Sequence, residues 1–522
     1  MKRWSFVLSL LVIFVSVLFL CEGGCSGAIE ELVNKGGGAG YTDDDYDDDY
    51  CDDDTAGGDD DDDYEPYEET PEYECPQDTS PQVLFLSADD SNSQASPVVA
   101  RAIIREGGIV PLRKLRTYEF TNYYDIQYEE PPFGHVRIVP QLRIRGDSVF
   151  DVEYVFQIGV QSHRVSGLQR RHLNLTFSLD TSGSMEGKSL RLLKATCRVI
   201  ASQLKKGDIV SVVKWRHYAS VALDSHVVQG PNDPTLLAVI DSLYADGSTD
   251  LHSGLVKAYE LAWKNYDPER MNRVILISDG QANTGVTDIE IIAQAAEDSE
   301  KEGIYLIGVG VGDPDDYFHD TLMDEVTDAG KGAYVFIDSE EEAQKQFGER
   351  FMRNVEIAAK DVRVELTMPY YFIMDEYHGE EYSENPEEVE PQHLGPNDAM
   401  VFHQFLVVCD PDLLDVWDTI NVKAHYTHPF THQRMTEEEE MTIEQMLQAP
   451  ADQLLKGDAI VAYAEALKEI YRKLEQGDRD EALRICRETK EKVQDVASFL
   501  NDDELREIVE LLGIYEGTIQ RR

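Results

Sequence analysis

Asp180, Ser182 and Ser184 stand at alternate positions immediately after the apolar run 173–179. A buried strand ending there delivers one carboxylate and two hydroxyls to a single point. These are hard oxygen donors, suited to Mg²⁺, Mn²⁺ or Ca²⁺ and not to zinc. Gly183 between the two serines permits a tight turn. Further oxygen donors return twice. Gly247-Ser248-Thr249-Asp250 places Thr249 just ahead of a helical pattern made by Leu251, Leu255, Ala258, Tyr259 and Ala262. The run 273–278 is a second buried strand, and it ends on Asp279 followed by Gly280. Against this stands the plain reading of acidic strand ends that only begin turns.

The elements that must position these groups alternate along residues 171–353. Strands are expected at 172–179, 209–215, 219–223, 274–277, 304–309 and 333–336, with helices at 190–204, 235–243, 251–263 and 289–301. Such alternation predicts an α/β domain with a doubly wound, mostly parallel sheet. Sites in these sheets lie outside the carboxyl ends of the strands, where Asp180, Thr249 and Asp279 would converge. Gly308, Gly310 and Gly312 lack the G-x-G-x-x-G spacing, so no nucleotide is expected.

Asp180-x-Ser182-x-Ser184 together with Thr249 and Asp279 resembles the complete metal-ion-dependent adhesion site of the von Willebrand factor type A domain. The resemblance implies one divalent cation, Mg²⁺ or else Mn²⁺ or Ca²⁺, held by these five groups, partly through water. It implies an open coordination position for a carboxylate from a partner protein. Asp180 and Asp279 supply the only formal charges of the five, so the ion would stay electrophilic. No nucleophile elbow, P-loop or paired-carboxylate signature accompanies the set, and no histidine lies beside Ser182 or Ser184 in sequence, so the expectation is binding and not enzymatic activity. His252 opens the helix next to the expected ion, where it either touches a partner or lies idle on the rim.

Around this domain the pattern changes. Alternating segments before residue 171 and after residue 354 predict an antiparallel β-sandwich flanking the A domain. This bracketing resembles a group of bacterial von Willebrand lipoproteins, in which residues 112–124 would belong to the β-rich part. Residues 442–522 read as helices broken at Gly477 and Asn501, with Tyr463 and neighbouring alanines on an inner face. The expected divisions are therefore a leader (1–25), an acidic linker (26–82), a β-rich region (83–170), the A domain (171–353), a sandwich region (354–441) and a helical C-terminal region (442–522).

Lys2 and Arg3 precede an apolar run from Phe6 to Leu20, a secretory signal pattern. The small residues before Cys25 resemble a bacterial lipobox, although Glu22 stands where that family has an aliphatic residue. The resemblance implies a lipidated Cys25 and, with Ser26 next, an outer-membrane or cell-surface lipoprotein. An uncleaved transmembrane anchor remains the alternative. The net charge is −54, from 101 acidic and 47 basic residues, which excludes nucleic acid as a natural partner. Twenty of the acids fall between Asp43 and Asp78 without a single Lys or Arg, the composition of a solvated spacer, a weak Ca²⁺ sponge or a docking tail for a basic partner. Cys51 and Cys75 lie in the same segment and are candidates to pair in an oxidising compartment, while Cys197 reads as a small buried hydrophobe. His425, His428 and His432 straddle Pro429 and alternate faces, which favours a surface cluster over a metal site. These readings converge on a surface-held protein that captures an acidic protein ligand through a cation. An envelope scaffold with a structural metal, or an accessory to a channel or transporter, is the alternative.

Overall fold

The computed structural model describes residues 73–89, 92–145, 153–167, 170–280, 303–313, 323, 326–327 and 329–522. The signal run, Cys25, Cys51, most of the acidic tract and the helix expected at 289–301 lie outside the described residues. Among the described residues no helix is long and apolar enough to cross a membrane.

Among the described residues, three strands precede the central domain: β1 (Gln82–Ser87), β2 (Val136–Arg145) and β3 (Glu153–Ser162). The central domain carries β4 (Leu173–Asp180), β5 (Ile209–Trp215), β6 (Ala219–Val227), β7 (Met271–Ser278), β8 (Ile304–Val311) and β9 (Tyr334–Ile337). Their order in the sheet is β6-β5-β4-β7-β8-β9, all parallel except the β5–β6 hairpin. Successive β7 residues feed opposite layers, as a strand buried on both faces requires. Ile275 and Ile277 pack with α3 (Lys188–Gln203), whose buried face includes Leu193, Cys197 and Ile200. Val274 and Leu276 pack with α5 (Leu251–Lys264) through Leu255, Ala258 and Tyr259. Cys197 is thus the buried hydrophobe its sequence position suggested.

The second layer does not end at the domain. Its core runs on into α1 (Ala95–Arg105), α2 (Thr117–Tyr123) and the C-terminal helices α9 (Asp452–Glu475), α10 (Arg479–Leu500) and α11 (Asp503–Arg521). Residues 112–124, expected among β structure, are therefore helical. A 3₁₀ turn (Leu112–Lys114) leads into α2, whose Phe120 meets Tyr463 edge-on at 5.6 Å. Phe120 and Tyr123, three residues apart, lie on the buried face of a short helix that packs under α9, a case of tertiary packing overriding local strand preference. The breaks between the three C-terminal helices fall at Gly477 and Asn501, both at positive φ (82° and 54°).

Strands β10 (Ala359–Met368), β11 (Phe372–Tyr377), β12 (Glu381–Ser383), β13 (Gln392–Leu394), β14 (Ala399–Val408), β15 (Thr419–Thr427) and β16 (Arg434–Thr442) complete the sandwich with β1, β2 and β3. One sheet has the order β12-β1-β10-β15-β16, with β13 pairing β10, and the other has the order β11-β14-β3-β2. The expected pairing of sequence-distant strands on either side of the central domain is what these registers show. Cys75 pairs with Cys409 and not with Cys51, across 334 residues, and the Tyr73 hydroxyl bonds Asp375. The folded part accordingly begins before residue 83. His425 bonds Glu365 and Thr436 on the sheet surface, and no metal-holding group of three or more His, Cys, Asp or Glu occurs among the described residues.

One ionic network joins the parts. A π turn (Lys345–Glu349) separates α6 (Glu340–Gln344) from α7 (Phe351–Val355) at the end of the central domain. Lys345 of this turn and Arg350 just after it reach Glu504 of α11 at 3.0 and 3.3 Å, and Lys456 of α9 adds a third cation at 3.0 Å. Burial opposes charge on Glu504, but the three cations overcome it and hold its carboxyl at about 2. Arg353 continues the network to Asp125 and to Asp398 of the sandwich, at 2.9 and 2.8 Å. Replacing Glu504 by Ala takes the carboxylate from Lys345, while Arg350 keeps Asp125 at 2.9 Å and Lys456 keeps Asp502 at 2.7 Å, and is expected to cost about 1–3 kcal/mol. Urea denaturation measures this, and a loss under about 1 kcal/mol would refute the network's importance.

Where α9 covers β14, His403 and His378 are buried with ring centroids 5.6 Å apart. Burial lowers both, His378 to about 4 and His403 to about 3, and the Glu465 and Asp458 carboxylates oppose the shift without cancelling it. Between pH 6.5 and 4 the unfolded chain therefore binds protons that the folded one refuses, so stability must fall as the pH drops through that window. Thermal melts at pH 7 and pH 4.5 are expected to differ less in the double variant His378→Gln/His403→Gln than in wild type. An unchanged difference would count against this source of acid sensitivity.

Candidate functional site

At the carboxyl end of β4, Asp180 lies beside Ser278, the last residue of β7. The Ser278 hydroxyl donates to Asp180 Oδ2 at 2.8 Å, and the Ser182 amide donates to Oδ1 at 2.8 Å. Ser182 and Ser184 then meet hydroxyl to hydroxyl at 3.0 Å through the 3₁₀ turn Gly183–Met185. Asp180 and Ser182 are fully buried, and Asp279 and Thr249 nearly so, whereas Ser184 is exposed at the mouth.

Thr249 is brought in by its loop. The Asp246 amide donates to the Thr181 carbonyl and the Gly183 amide to the Gly247 carbonyl, both at 2.9 Å. Asp250 caps α5 by accepting from the Ser253 amide, which leaves Thr249 just outside the helix N-terminus. Gly183 is required here for close approach: a Cβ would sit 3.0 Å from the Gly247 carbonyl oxygen. Gly247 needs its positive φ of 84°, and its Cα faces the His217 ring, which a side chain would strike.

Burial, first, and the neighbouring Asp279 carboxylate raise Asp180 to about 7 in spite of the serine donors. Two buried carboxylates that disfavour each other's charge, surrounded by hydroxyls, suit a hard divalent cation, which would relieve both penalties. The residues present fit such an ion. The structure thus brings Asp180, Ser182, Ser184 and Asp279 to one point and stitches the Thr249 loop to it.

Sequence reasoning missed Ser278, although it precedes Asp279 on the strand that parallel pairing sets beside β4. It also missed the rim. His217, on the β5–β6 turn, bonds Ser248 at 2.8 Å, and Arg216 bonds Asp246 at 2.8 Å beneath the exposed Tyr244 ring. Only the folded hairpin places these next to the Thr249 loop. His252 is half-buried on the first turn of α5.

A doubly wound sheet with this arrangement at its carboxyl edge defines a class, and residues 174–366 match the von Willebrand factor type A domain family. The chain contains a domain of that family. It is 26% identical over 310 residues to YfbK of Escherichia coli (strain K12), covering 58% of this chain and 52% of that protein. It is 26% identical over 185 residues to sll0103 of Synechocystis sp., covering 35% of this chain and 42% of that one. Inter-alpha-trypsin inhibitor heavy chain H3 of Mus musculus is 26% identical over 236 residues, 44% of this chain and 24% of its own length. The chain thus spans about half or less of the curated relatives it matches. A solved von Willebrand factor type A protein from Catenulispora acidiphila aligns with a TM-score of 0.45 and 14% identity, covering 73% of this chain and 91% of that one.

Below about pH 7 an incoming ion must displace the proton of Asp180, so affinity for a divalent cation should fall as the pH is lowered. Without an ion, the raised value favours folding below the ordinary carboxylate range, and this contribution is lost as pH rises through 7. Calorimetric titration with Mg²⁺ at pH 8 and pH 6 is expected to show about tenfold weaker binding at pH 6. Affinity independent of pH would contradict the ionisation described.

Proposed function

We propose that this protein binds a partner protein through a divalent cation held by Asp180, Ser182, Ser184, Thr249 and Asp279, with the ion accepting a carboxylate from the partner. The observation that carries this reading is the pair of buried carboxylates whose hydroxyl companions run outward to the exposed Ser184. An ion seated there has protein on one side and solvent on the other, and few formal charges to quench it. When bound, it supplies an electrophilic position for an outside oxygen. The chain's own residues orient the loops and exclude water behind Asp180.

The alternative of a purely structural metal is weakened by the loops themselves. Backbone bonds from Gly183 to Gly247 and from Asp246 to Thr181 already hold them without an ion. Mg²⁺ is the ion of choice in this reading, with Mn²⁺ or Ca²⁺ as substitutes. We further propose that the protein is exported and held at an outer membrane or cell surface through a lipid on Cys25, with the acidic tract as a spacer. The Cys75–Cys409 disulfide supports an oxidising compartment.

Envelope extract passed over the immobilised protein tests the binding reading. A partner should be retained in Mg²⁺, released by EDTA, and absent from the Asp180→Ala column. Equal retention under all three conditions would reject metal-mediated capture.

A further inference from the structure

The sandwich is open along one side, where the free edge of β16 faces the free edge of β2. Between them lies a cleft of about 540 Å³, within the range of ligand-binding pockets. One end is closed by His135 on Glu437 (2.7 Å) and by the Tyr426 hydroxyl on the Gly134 carbonyl (3.3 Å). The other is closed by α8 (Ile443–Gln448), whose Ile443 and Met446 share a core with Leu142 of β2. Gln141 seals that end by bonding the Pro450 carbonyl at 3.0 Å. The open stretch of β2, from Val136 to Pro140, is about 17 Å long at the rise of an extended chain.

The lining is selective. On β16, Met435 and Met441 turn inward against the sandwich core, so Glu437 and Glu439 between them point inward as well. Their register partners Ala424 and Val422 are core residues, in agreement with that direction. Glu438 points the other way, toward Asn421 at 2.8 Å and Lys423 at 3.9 Å. Arg137 does not neutralise the cleft, because it turns away to Glu129 at 2.6 Å. The cleft therefore joins an apolar wall, Val136, Ile138 and Met441, to two carboxylates on the same face of β16, Glu437 in contact with His135 and the Tyr426 hydroxyl and Glu439 exposed to solvent, beside a strand edge that pairs with no strand among the described residues. Pro140 lacks an N–H, which leaves β16 as the edge able to pair along its length.

We infer that this cleft takes an extended segment of a partner protein, added as a strand to the edge of β16, with Lys or Arg at alternate positions. The stems of those side chains lie on Val136, Ile138 and Met441, and their heads meet Glu437 and Glu439. The same inward charges keep an apolar or acidic strand out, including the edge of a second copy. The site is independent of the cation.

A fluorescein-labelled peptide Ac-Val-Lys-Val-Lys-Val-Lys-NH₂ tests this by anisotropy on the full chain, in EDTA and about 0.15 M NaCl. Saturable binding is expected, with affinity lowered about tenfold or more by E437Q/E439Q. The double variant E438Q/E440Q removes the same charge from the outward face and should change affinity less than about twofold. Replacing the central Val of the peptide by Pro, which leaves its charge intact, should abolish binding to the wild-type protein. No saturable binding, equal losses in the two double variants, or tight binding of the Pro peptide would each overturn the inference.

Discussion

Glu504 sits where four parts of the chain meet, and its charge is what they have in common. Lys345 and Arg350 approach from the end of the central domain, Lys456 from α9, and the Asp125 amide from the segment after α2. The carboxylate would carry a desolvation penalty in that position without the cations, and it offsets part of theirs, with Asp125 and Asp502 sharing Arg350 and Lys456. The arrangement is thus mutually conditional. It anchors the last turn of the central domain to the C-terminal helices, and Arg353 extends the tie to the sandwich. The shared apolar core of α1, α2, α5 and α9 to α11 packs these parts together. The network fixes how they are aligned, because ion pairs depend on direction and hydrophobic burial does not.

The sheet layer beneath Asp180 is buried on both faces, with α3 on one side and α5 on the other. Desolvation at the strand end is what makes Asp180 reluctant to ionise, and the same desolvation makes a cation there strongly attracted. Stability and affinity are set against each other at one carboxylate. The loops that bring Ser184 and Thr249 to it are held by backbone hydrogen bonds that need no ion. The site is therefore arranged in advance, which lowers the ordering cost of binding.

The sandwich brackets the central domain in sequence. Strand β1 must find β10 and β3 must find β14 after the whole α/β unit has intervened. The Cys75–Cys409 bridge closes the longest of these loops, where restricting the unfolded chain has its largest calculated effect. Edges left open by this construction are handled chemically: Pro140 and the inward Glu437 and Glu439 discourage indiscriminate pairing while leaving a shaped, charged cleft.

The order of the six strands in the central domain was legible because a sheet buried on both faces writes continuous apolar runs. Asp180, Ser182, Ser184, Thr249 and Asp279 were legible because each stands at the end of such a run or just before a helix. The helix breaks at Gly477 and Asn501 followed from backbone chirality, which is local. What the chain could not announce was everything that depends on neighbours distant in sequence. Residues 112–124 look like strand until α9 buries one side of them, and Cys75 has no spacing that points to Cys409. Ser278, His217 and Arg216 acquire meaning only when β7 and the β5–β6 hairpin are set beside β4. Local periodicity reports which side of an element will be buried, and it is silent on what buries it. The tertiary structure decided the partners because pairing, desolvation and charge are properties of places where distant segments meet.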